Sequence, residues 1–274
     1  MILLVHSTHD IAGVNIAKSM LQRYPFTKTT QMFQENPIYT AEIKRRHISF
    51  LTLKEEAVNA RYLPEDFPNA QLIVFISRHS SLSGKPTLSV HTTGNFGEAG
   101  LGGLPRALSV APAVAMQTAL KALYRLKQEM NLNYEVSYEC THHGPSLNVP
   151  VMFVELGSSE LQWNDSTAAQ VVGDAAMSAI ANFSAPIGSS ALGIGGTHYN
   201  QKFTRMALAG EAVFGHMIPK YVISTIDSAM LSQCVKKTSE KVSLAVLDWK
   251  GITSRDKPKL LSDLQEIGLP FKKV

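Results

Sequence analysis

Short apolar runs alternate along the chain with amphipathic stretches, which is the pattern of an α/β protein. The clearest run is AQLIVFIS at 70–77, whose unbroken apolar character is typical of a strand covered on both faces. Further strands are predicted at 2–6, 47–53, 87–94, 133–143, 149–156, 190–196 and 242–249. We therefore expect a single α/β domain over residues 1–274, with a mixed, mostly parallel sheet flanked by helices.

Helices are predicted where apolar residues recur three or four positions apart. The predicted helices are 11–24, 112–129 with Pro112 in its first turn, a helix capped by Ser166 or Thr167, 206–217, 227–238 and 257–267.

Two predicted strands, 133–143 and 149–156, are joined by only five residues, GPSLN. Five residues cannot hold a crossover, so these strands are predicted to form an antiparallel hairpin. In such a hairpin Glu155 would lie on the order of 16 Å from His142 at the rise of a strand. The pattern therefore places Glu155 outside any site built around His142.

Composition narrows the class of protein. Hydrophobic residues make up 45% and charged residues 18%, as in globular chains, and no apolar run reaches the length of a bilayer span. The start, MILLVHSTHD, lacks the features of a signal peptide. Two cysteines, Cys140 and Cys234, imply no disulfide framework and fit a reducing cytoplasm. The net charge of +4 permits a polyanionic partner such as RNA. We expect a monomer with no membrane or DNA partner.

Histidines gather after the predicted strands. Those at or just beyond a strand end are His6, His9, His79, His91, His142, His143 and His198. Ligands bind outside the carboxyl ends of parallel strands, so six or seven imidazoles are predicted to converge at one edge. Neutral imidazoles bind Zn²⁺, and histidine is the natural general base near neutral pH.

A structural role competes with a functional one at each of these positions. A lone histidine beside a strand is usually structural, and this reading is kept for His6 and His47. The pair His142 and His143 is predicted to be functional. Cys140 is predicted to be a buried strand residue rather than a nucleophile. The nearer acidic candidates are Asp10 and Glu139.

Familiar catalytic signatures are missing. The chain has no H-E-x-x-H and no G-x-S-x-G motif, and GIGGTH (193–198) lacks the third glycine of a dinucleotide-binding loop. The segment TGNFGEAGLGG (93–103) is not followed by G-K-[ST], so it is predicted to be a mobile loop facing the substrate rather than a P-loop.

Five motifs in order, SRHSS, HTTGNFG, ECTHHGPS, GIGGTHY and GHMIPKY, resemble the archaeal and plant type of D-aminoacyl-tRNA deacylase. The likeness extends from HSTHDIAGVNI over essentially the whole chain. It implies a zinc-dependent hydrolase that cleaves the ester between a D-amino acid and the 3′ end of tRNA. It also implies a fold similar to that of peptidyl-tRNA hydrolase and of the phosphorylase/hydrolase-like proteins.

For such a hydrolysis, His142 and His143 are predicted to bind the metal or activate water, with His79 and His198 as partners. Thr141, Thr197 and the backbone of Gly195 and Gly196 are candidates for oxyanion or carbonyl contacts. The predicted substrate-binding residues are Arg78 and Lys220, for tRNA phosphates, together with Thr92, Gly94, Asn95, Gly195 and Gly196.

Three alternatives stay open at the level of sequence. A peptidyl-tRNA hydrolase or related acyl hydrolase would prefer N-blocked L-aminoacyl-tRNA. A non-catalytic RNA-binding module would need no histidine-rich rim and would carry more stacking aromatics. A nucleoside-phosphorylase-like enzyme would depend on phosphate.

Overall fold

A large and a small β-sheet organise the fold, which a computed structural model describes for all residues 1–274. The strands are β1 (Ile2–Ser7), β2 (Thr27–Phe33), β3 (Asn36–Ile43), β4 (Arg46–Leu53), β5 (Leu72–Ser80), β6 (Thr87–His91), β7 (Glu135–Tyr138), β8 (Val151–Ser158), β9 (Ser189–Ile194), β10 (Phe214–Ile218), β11 (Lys241–Leu247) and β12 (Phe271–Lys273). The helices are α1 (Ile11–Arg23), α2 (Leu63–Asp66), α3 (Ala113–Glu129), α4 (Glu160–Trp163), α5 (Ser166–Asn182), α6 (Gln201–Leu208), α7 (Ser228–Lys236) and α8 (Lys257–Glu266).

Strand order in the large sheet is β2-β3-β4-β1-β5-β8-β6-β7, and in the small sheet β10-β9-β11-β12. Seven of the ten strand pairings are parallel, which confirms the mixed, mostly parallel α/β prediction. Strands β9, β10, β11 and β12 pair only with one another and form the separate small sheet. No helix has the length and apolar character needed to cross a bilayer.

Strand β5 is covered on both faces, as its apolar run predicts. Leu72, Val74 and Ile76 belong to the main core, which α1, α3 and α5 also build, whereas Ile73 and Phe75 belong to a smaller core on the opposite face. The small sheet shares the main core through Ala191 and Val246 and has its own core on its other face, with α7 and α8.

The strands within 133–143 and 149–156 run antiparallel, as predicted, but they do not pair with each other as a hairpin. Strand β6 lies between β7 and β8, parallel to the first and antiparallel to the second, so Ser89 pairs with both Ser137 and Glu155. On its other side β8 runs parallel to β5, with Ser77 opposite Glu155. This places Glu155 next to the histidine-bearing end of β5.

Two further predictions fail locally. The predicted helix 206–217 is instead the end of α6, a turn at Gly210 and strand β10. Gly210 has φ +77°, a left-handed conformation that ends helices readily. The apolar pattern does not predict strands β2 and β3, because their faces are mostly exposed or half-buried and carry no apolar alternation.

Candidate active site

The site lies on one face of the large sheet, where alternate positions change from apolar to polar. On β5 the sequence of side chains on this face is Ile73, Phe75, Ser77 and His79, and on β8 it is Val151, Phe153, Glu155 and Gly157. Since alternate residues of a strand share a face, the apolar core continues directly into a polar wall.

His142 and His143 lie side by side because the backbone is no longer a strand there. Strand β7 ends at Tyr138, and His143 has φ +41°, in the left-handed region. The two ring centroids are 4.3 Å apart. Nδ1 of His142 lies 2.9 Å from the Cys140 carbonyl, and Nδ1 of His143 lies 2.5 Å from the Gly144 carbonyl. Each Nδ1 therefore carries the proton, which leaves Nε2 with a free lone pair.

His91 is the third imidazole of this group. Its ring centroid lies 4.3 Å from that of His142 and 4.9 Å from that of His143, and its side chain is fully buried. Nδ1 again donates to a backbone carbonyl, that of Thr92 at 3.2 Å, whereas Nε2 makes no hydrogen bond and faces Oε2 of Glu155 at 3.5 Å. Burial alone would lower the pKa of His91, but the Glu155 carboxylate outweighs it and raises that pKa. One nitrogen from each of the three rings lies within 4.8 Å of the other two.

Two buried carboxylates, Glu139 and Glu155, face the same space with His79 between them. Nδ1 of His79 lies 3.1 Å from Oε1 of Glu139 and 3.6 Å from Oε2 of Glu155. Burial alone would lower the pKa of His79, but the two carboxylates outweigh it and raise the pKa to about 11. His79 is thus an imidazolium at neutral pH, and its other nitrogen donates to the Tyr199 hydroxyl.

Both carboxyl groups are ionised in this setting. Burial opposes ionisation of Glu139, yet hydrogen bonds from His198 and His79 hold its pKa well below the usual range. Burial likewise opposes ionisation of Glu155, and the facing His91 and His79 lower its pKa. The Ser77 hydroxyl donates a further hydrogen bond of 2.7 Å to Oε1 of Glu155.

His142 and His143 are neutral at pH 7. Burial lowers the pKa of both, and the neighbouring His91 lowers it further. For His143 the pKa falls to about 4. Neutral rings with a free Nε2 are the form of histidine that binds metals.

His198 is partly exposed, with 30% of its side chain accessible. Its Nε2 donates to Oε2 of Glu139 at 2.8 Å, and its Nδ1 lies 3.5 Å from the Tyr221 hydroxyl. The ring centroid is 4.5 Å from that of His142. A carboxylate therefore fixes the tautomer of His198 and leaves Nδ1 as the basic nitrogen.

These groups open into a cleft of about 550 Å³. Its lining residues are Asp10, Glu56, Ala57, Val58, Ser77, Arg78, His79, Ser80, Leu101, His142, His143, Phe153, Glu155 and His198. Asp10 also caps α1 by accepting from the Gly13 N–H at 2.8 Å, and burial raises its pKa to about 6.

The structure brings together His79, His91, His142, His143 and His198, as the pattern of strand ends predicts. His6 lies apart and contacts Thr52, whereas His9 and His47 are exposed. His216 is buried between Thr141 and the Ser109 and Lys237 carbonyls. The four predicted ligands do not form one group: His142 and His143 cluster with His91, His142 and His198 with Glu139, and His79 with Glu139 and Glu155.

Several predicted substrate contacts are occupied within the protein. The buried Thr141 hydroxyl bonds to His216 and Met217, and the Thr92 hydroxyl donates to the Val151 carbonyl. The N–H groups of Gly94 and Gly195 donate to the carbonyls of His143 and Ile218. These four groups are therefore unavailable to a substrate in this conformation.

The remaining predicted contacts are placed differently. The Asn95 amide donates to the Gly102 and Leu104 carbonyls and so ties down the 93–103 loop, which the sequence predicts to be mobile. Arg78 lines the cleft but is bound to Glu56 and to the His9 carbonyl. The exposed Thr197 donates to the Tyr199 carbonyl.

Gly196 and Lys220 meet at the edge of the cleft, where the Gly196 carbonyl accepts from the Lys220 N–H at 2.9 Å. This hydrogen bond links the loop that carries His198 to the chain beyond β10.

From the sequence alone, Glu155 is placed outside the site and Glu139 is only an acidic candidate. In the structure both carboxylates lie beside His79. A carboxylate within the apolar run VPVMFVEL is a usable signal, since a charge in a doubly covered strand must be paired.

Cys140 and Cys234 are free and buried, as predicted, and burial raises the pKa of the Cys140 thiol to about 12.

An α/β fold that opens a buried histidine–carboxylate centre into a cleft has the architecture of an enzyme active site. A family model described as D-aminoacyl-tRNA deacylase matches residues 66–272. The chain belongs to the D-aminoacyl-tRNA deacylase family.

Named relatives agree with this assignment. The chain is 35% identical to the D-aminoacyl-tRNA deacylase of Pyrococcus horikoshii and 34% identical to that of Thermococcus onnurineus, each match covering 96% of both chains. Among solved structures it is similar to AF0625, a conserved protein of unknown function, with a TM-score of 0.88 and 31% identity over 100% of this chain and 95% of that chain.

Proposed function

We propose that this protein hydrolyses the ester bond of D-aminoacyl-tRNA, releasing the free D-amino acid and tRNA, with the help of Zn²⁺. The activity is the one that its relatives are named for. The observation that carries the proposal is the group formed by the buried His91 and the half-buried His142 and His143, three rings anchored through Nδ1 beside an open cleft.

The donor set suits zinc. Each ring donates its Nδ1 proton to a backbone carbonyl, which is how metal-binding histidines are usually oriented. The buried Nε2 of His91 makes no hydrogen bond and lies 3.5 Å from Oε2 of Glu155, so the ion would replace the proton that this carboxylate favours. In this proposal His91, His142 and His143 would hold the ion. Bound zinc would polarise the ester carbonyl and lower the pKa of water in the cleft.

His198 is the general base of the proposed reaction. Glu139 holds its Nε2–H, so Nδ1 accepts a proton from the water as the water oxygen attacks the acyl carbon. The tetrahedral adduct then collapses, the bond to the ribose 3′-oxygen breaks, and His198 returns the proton to that oxygen. The positive charge on His198 between these steps is stabilised by the Glu139 carboxylate.

His79 keeps the two carboxylates together. Without its positive charge, two ionised groups would be buried next to one another in the same wall of the cleft. We assign it a positioning role rather than contact with the substrate.

The compartment, the oligomeric state and the nucleic-acid partner are part of the same proposal. We place the enzyme in the cytoplasm as a monomer, with tRNA as its nucleic-acid partner and neither DNA nor membrane involved. The two free, buried thiols fit a reducing compartment.

One assay tests reaction, chirality and metal together. D-tyrosyl-tRNA and L-tyrosyl-tRNA are incubated with the enzyme, with a chelator, and with the chelator followed by excess Zn²⁺. We expect turnover of the D-ester alone, loss with chelator and recovery with zinc. Turnover of N-blocked L-aminoacyl-tRNA instead would identify a peptidyl-tRNA hydrolase. Hydrolysis indifferent to the chelator would remove zinc from the proposal.

A further inference from the structure

We propose that the carboxyl edge of the small sheet docks the sugar–phosphate backbone of the tRNA acceptor stem. The inference rests on the function proposed above, because it takes the RNA part of that substrate as the ligand. The surface, called the basic edge below, consists of Lys220, Lys250, Arg255, Lys257, Lys272 and Lys273.

Topology gathers these cations on one side of the protein. All pairings in the small sheet are parallel, so the carboxyl ends of its strands share one edge. Lys220 follows β10, Lys250 and Arg255 lie in the loop after β11, and Lys273 is the last residue of β12. The loop after β9 carries His198 and begins at the same edge.

The charges of the basic edge are available to a ligand. None of its six side chains forms an ion pair, whereas the nearby Lys202 and Lys259 are bound to Asp248 and Asp263. Lys257 is half-buried and the other five side chains are exposed. Asp256 is the one acidic residue between Arg255 and Lys257 in this loop, and the six cations leave the edge with net positive charge, which is what a phosphodiester chain requires.

Trp249 holds two of these cations in place. The Nζ atoms of Lys273 and Lys257 lie 3.9 and 4.4 Å from the centroid of its half-buried ring. A cation–π interaction restrains each ammonium group without neutralising it. Two lysines held around one indole ring thus form a preorganised pair of phosphate donors, which lowers the entropic cost of binding.

The basic edge borders the catalytic cleft. The Lys220 N–H donates to the Gly196 carbonyl, two residues before His198. Tyr221, the next residue, reaches Nδ1 of His198 with its hydroxyl. On the other side the Asp248 N–H donates to the Ile194 carbonyl at 2.8 Å. A tRNA whose 3′ end enters the cleft at His198 would carry its stem over this edge.

Protection against aggregation does not account for the whole surface. Lysines on an edge strand discourage pairing with other chains, and this explains Lys272 and Lys273 on β12. It does not explain Lys220, Lys250 and Arg255, which lie outside strands, or the position of Lys257 over Trp249.

A charge-reversal experiment tests the proposal. The edge variant carries Lys257→Glu and Lys273→Glu. The control variant carries Lys28→Glu and Lys121→Glu, two exposed lysines without ion-pair partners on β2 and α3. Three quantities are measured: the Kd for a deacylated acceptor-stem hairpin, KM for D-tyrosyl-tRNA, and turnover of D-tyrosyl-adenosine, which lacks the stem.

We expect the edge variant to bind the hairpin at least tenfold more weakly and to raise KM for D-tyrosyl-tRNA by a similar factor, with turnover of D-tyrosyl-adenosine unchanged. Its binding should also depend less on salt, the slope of log K against log[salt] falling by about 0.7–0.9 for each phosphate that the protein no longer neutralises. Trp249→Leu, which keeps both charges, should weaken hairpin binding about fivefold, the worth of roughly one cation–π interaction.

The hairpin measurement separates this proposal from the proposed function. If the wild-type enzyme hydrolyses no D-aminoacyl ester, the function fails, yet selective loss of hairpin binding in the edge variant still supports the docking surface. If edge and control variants bind the hairpin equally and share the same KM, the basic edge is not the docking surface. Equal losses in both variants would show non-specific attraction and would overturn the proposal as well.

Discussion

His198 donates its Nε2–H to Oε2 of Glu139 across 2.8 Å, although the two residues lie 59 positions apart. The bond joins the loop after β9 in the small sheet to the chain just beyond β7 in the large sheet. The proposed base and the carboxylate that orients it therefore come from different sheets.

Replacing that carboxylate tests the role of His198. Glu139→Gln keeps the shape of the side chain but no longer fixes the tautomer or stabilises the charged ring. We expect kcat for D-tyrosyl-tRNA to fall by about 10²–10⁴-fold with little change in KM, as for loss of an oriented general base. Glu42→Gln, at an exposed position on β3, is the control and should leave kcat unchanged. A small effect of Glu139→Gln would argue against His198 as the base.

Removing the charge between the buried carboxylates tests the role of His79. His79→Gln leaves Glu139 and Glu155 without their shared cation, so we expect the free energy of unfolding at pH 7 to fall by about 3–5 kcal/mol. Arg125→Gln breaks an exposed ion pair with Glu129 and should cost about 0.5 kcal/mol. Urea unfolding of the two variants measures both. Equal losses would mean that the imidazolium does not hold the carboxylates together.

The buried histidines away from the cleft predict how stability depends on pH. Burial lowers the pKa of His6 and of His216 to about 4, whereas both titrate near 6.5 in the unfolded chain. Above pH 6.5 both are neutral in either state. Between 6.5 and 4 the unfolded chain binds protons that the folded chain excludes, so stability falls as the pH falls through this range.

The measurement is the free energy of unfolding in urea at several pH values from 7.5 to 4.5. Each histidine adds up to about 1.4 kcal/mol per pH unit to the slope within that window. His6→Gln should reduce the slope by up to one such contribution, and the exposed His47→Gln should not alter it. A slope unchanged by His6→Gln would contradict the lowered pKa.

Zinc should stabilise the folded protein, since the proposed ligands meet only there. At a hundred times Kd the gain is about 2.7 kcal/mol, seen as a rise in Tm. His91→Gln should abolish most of this rise. Cys140→Ala is the control, because the thiol is buried nearby yet outside the three rings. If His91→Gln retains the full zinc-dependent rise, the ion is held elsewhere.

The hydrophobic pattern predicts most helices and strands, but it fails for elements whose faces are not regularly apolar. The apolar run of β5 and the amphipathic helices α1, α3 and α5 are readable, because burial on defined faces imposes their spacing. Strands β2 and β3 carry little buried surface, so nothing in their sequence distinguishes them from loops. The pattern predicts a helix where β10 lies, because its apolar residues continue the period of α6 beyond Gly210.

The sequence predicts the site because many histidines follow predicted strands, not because the strand directions are all predicted correctly. Five of them converge, but His79 reaches the group from β5, which runs opposite to β6 and β7, so one shared carboxyl edge is not the whole reason. The pattern excludes Glu155 only if strands adjacent in the sequence are also neighbours in the sheet. Which strand inserts between two others is a long-range property that a short connection does not reveal.

The position of β6 between β7 and β8 makes the reaction centre sensitive to strand register. Side chains alternate between the two faces of a strand, so inserting or deleting one residue near the start of Thr87–His91 would turn Ser89 and His91 to the face that packs against the helices. The imidazole of His91 would then leave the site. The preceding loop, 81–86, can change length without that effect. Insertions and deletions among family members are therefore expected to fall in that loop and to spare the five residues of the strand.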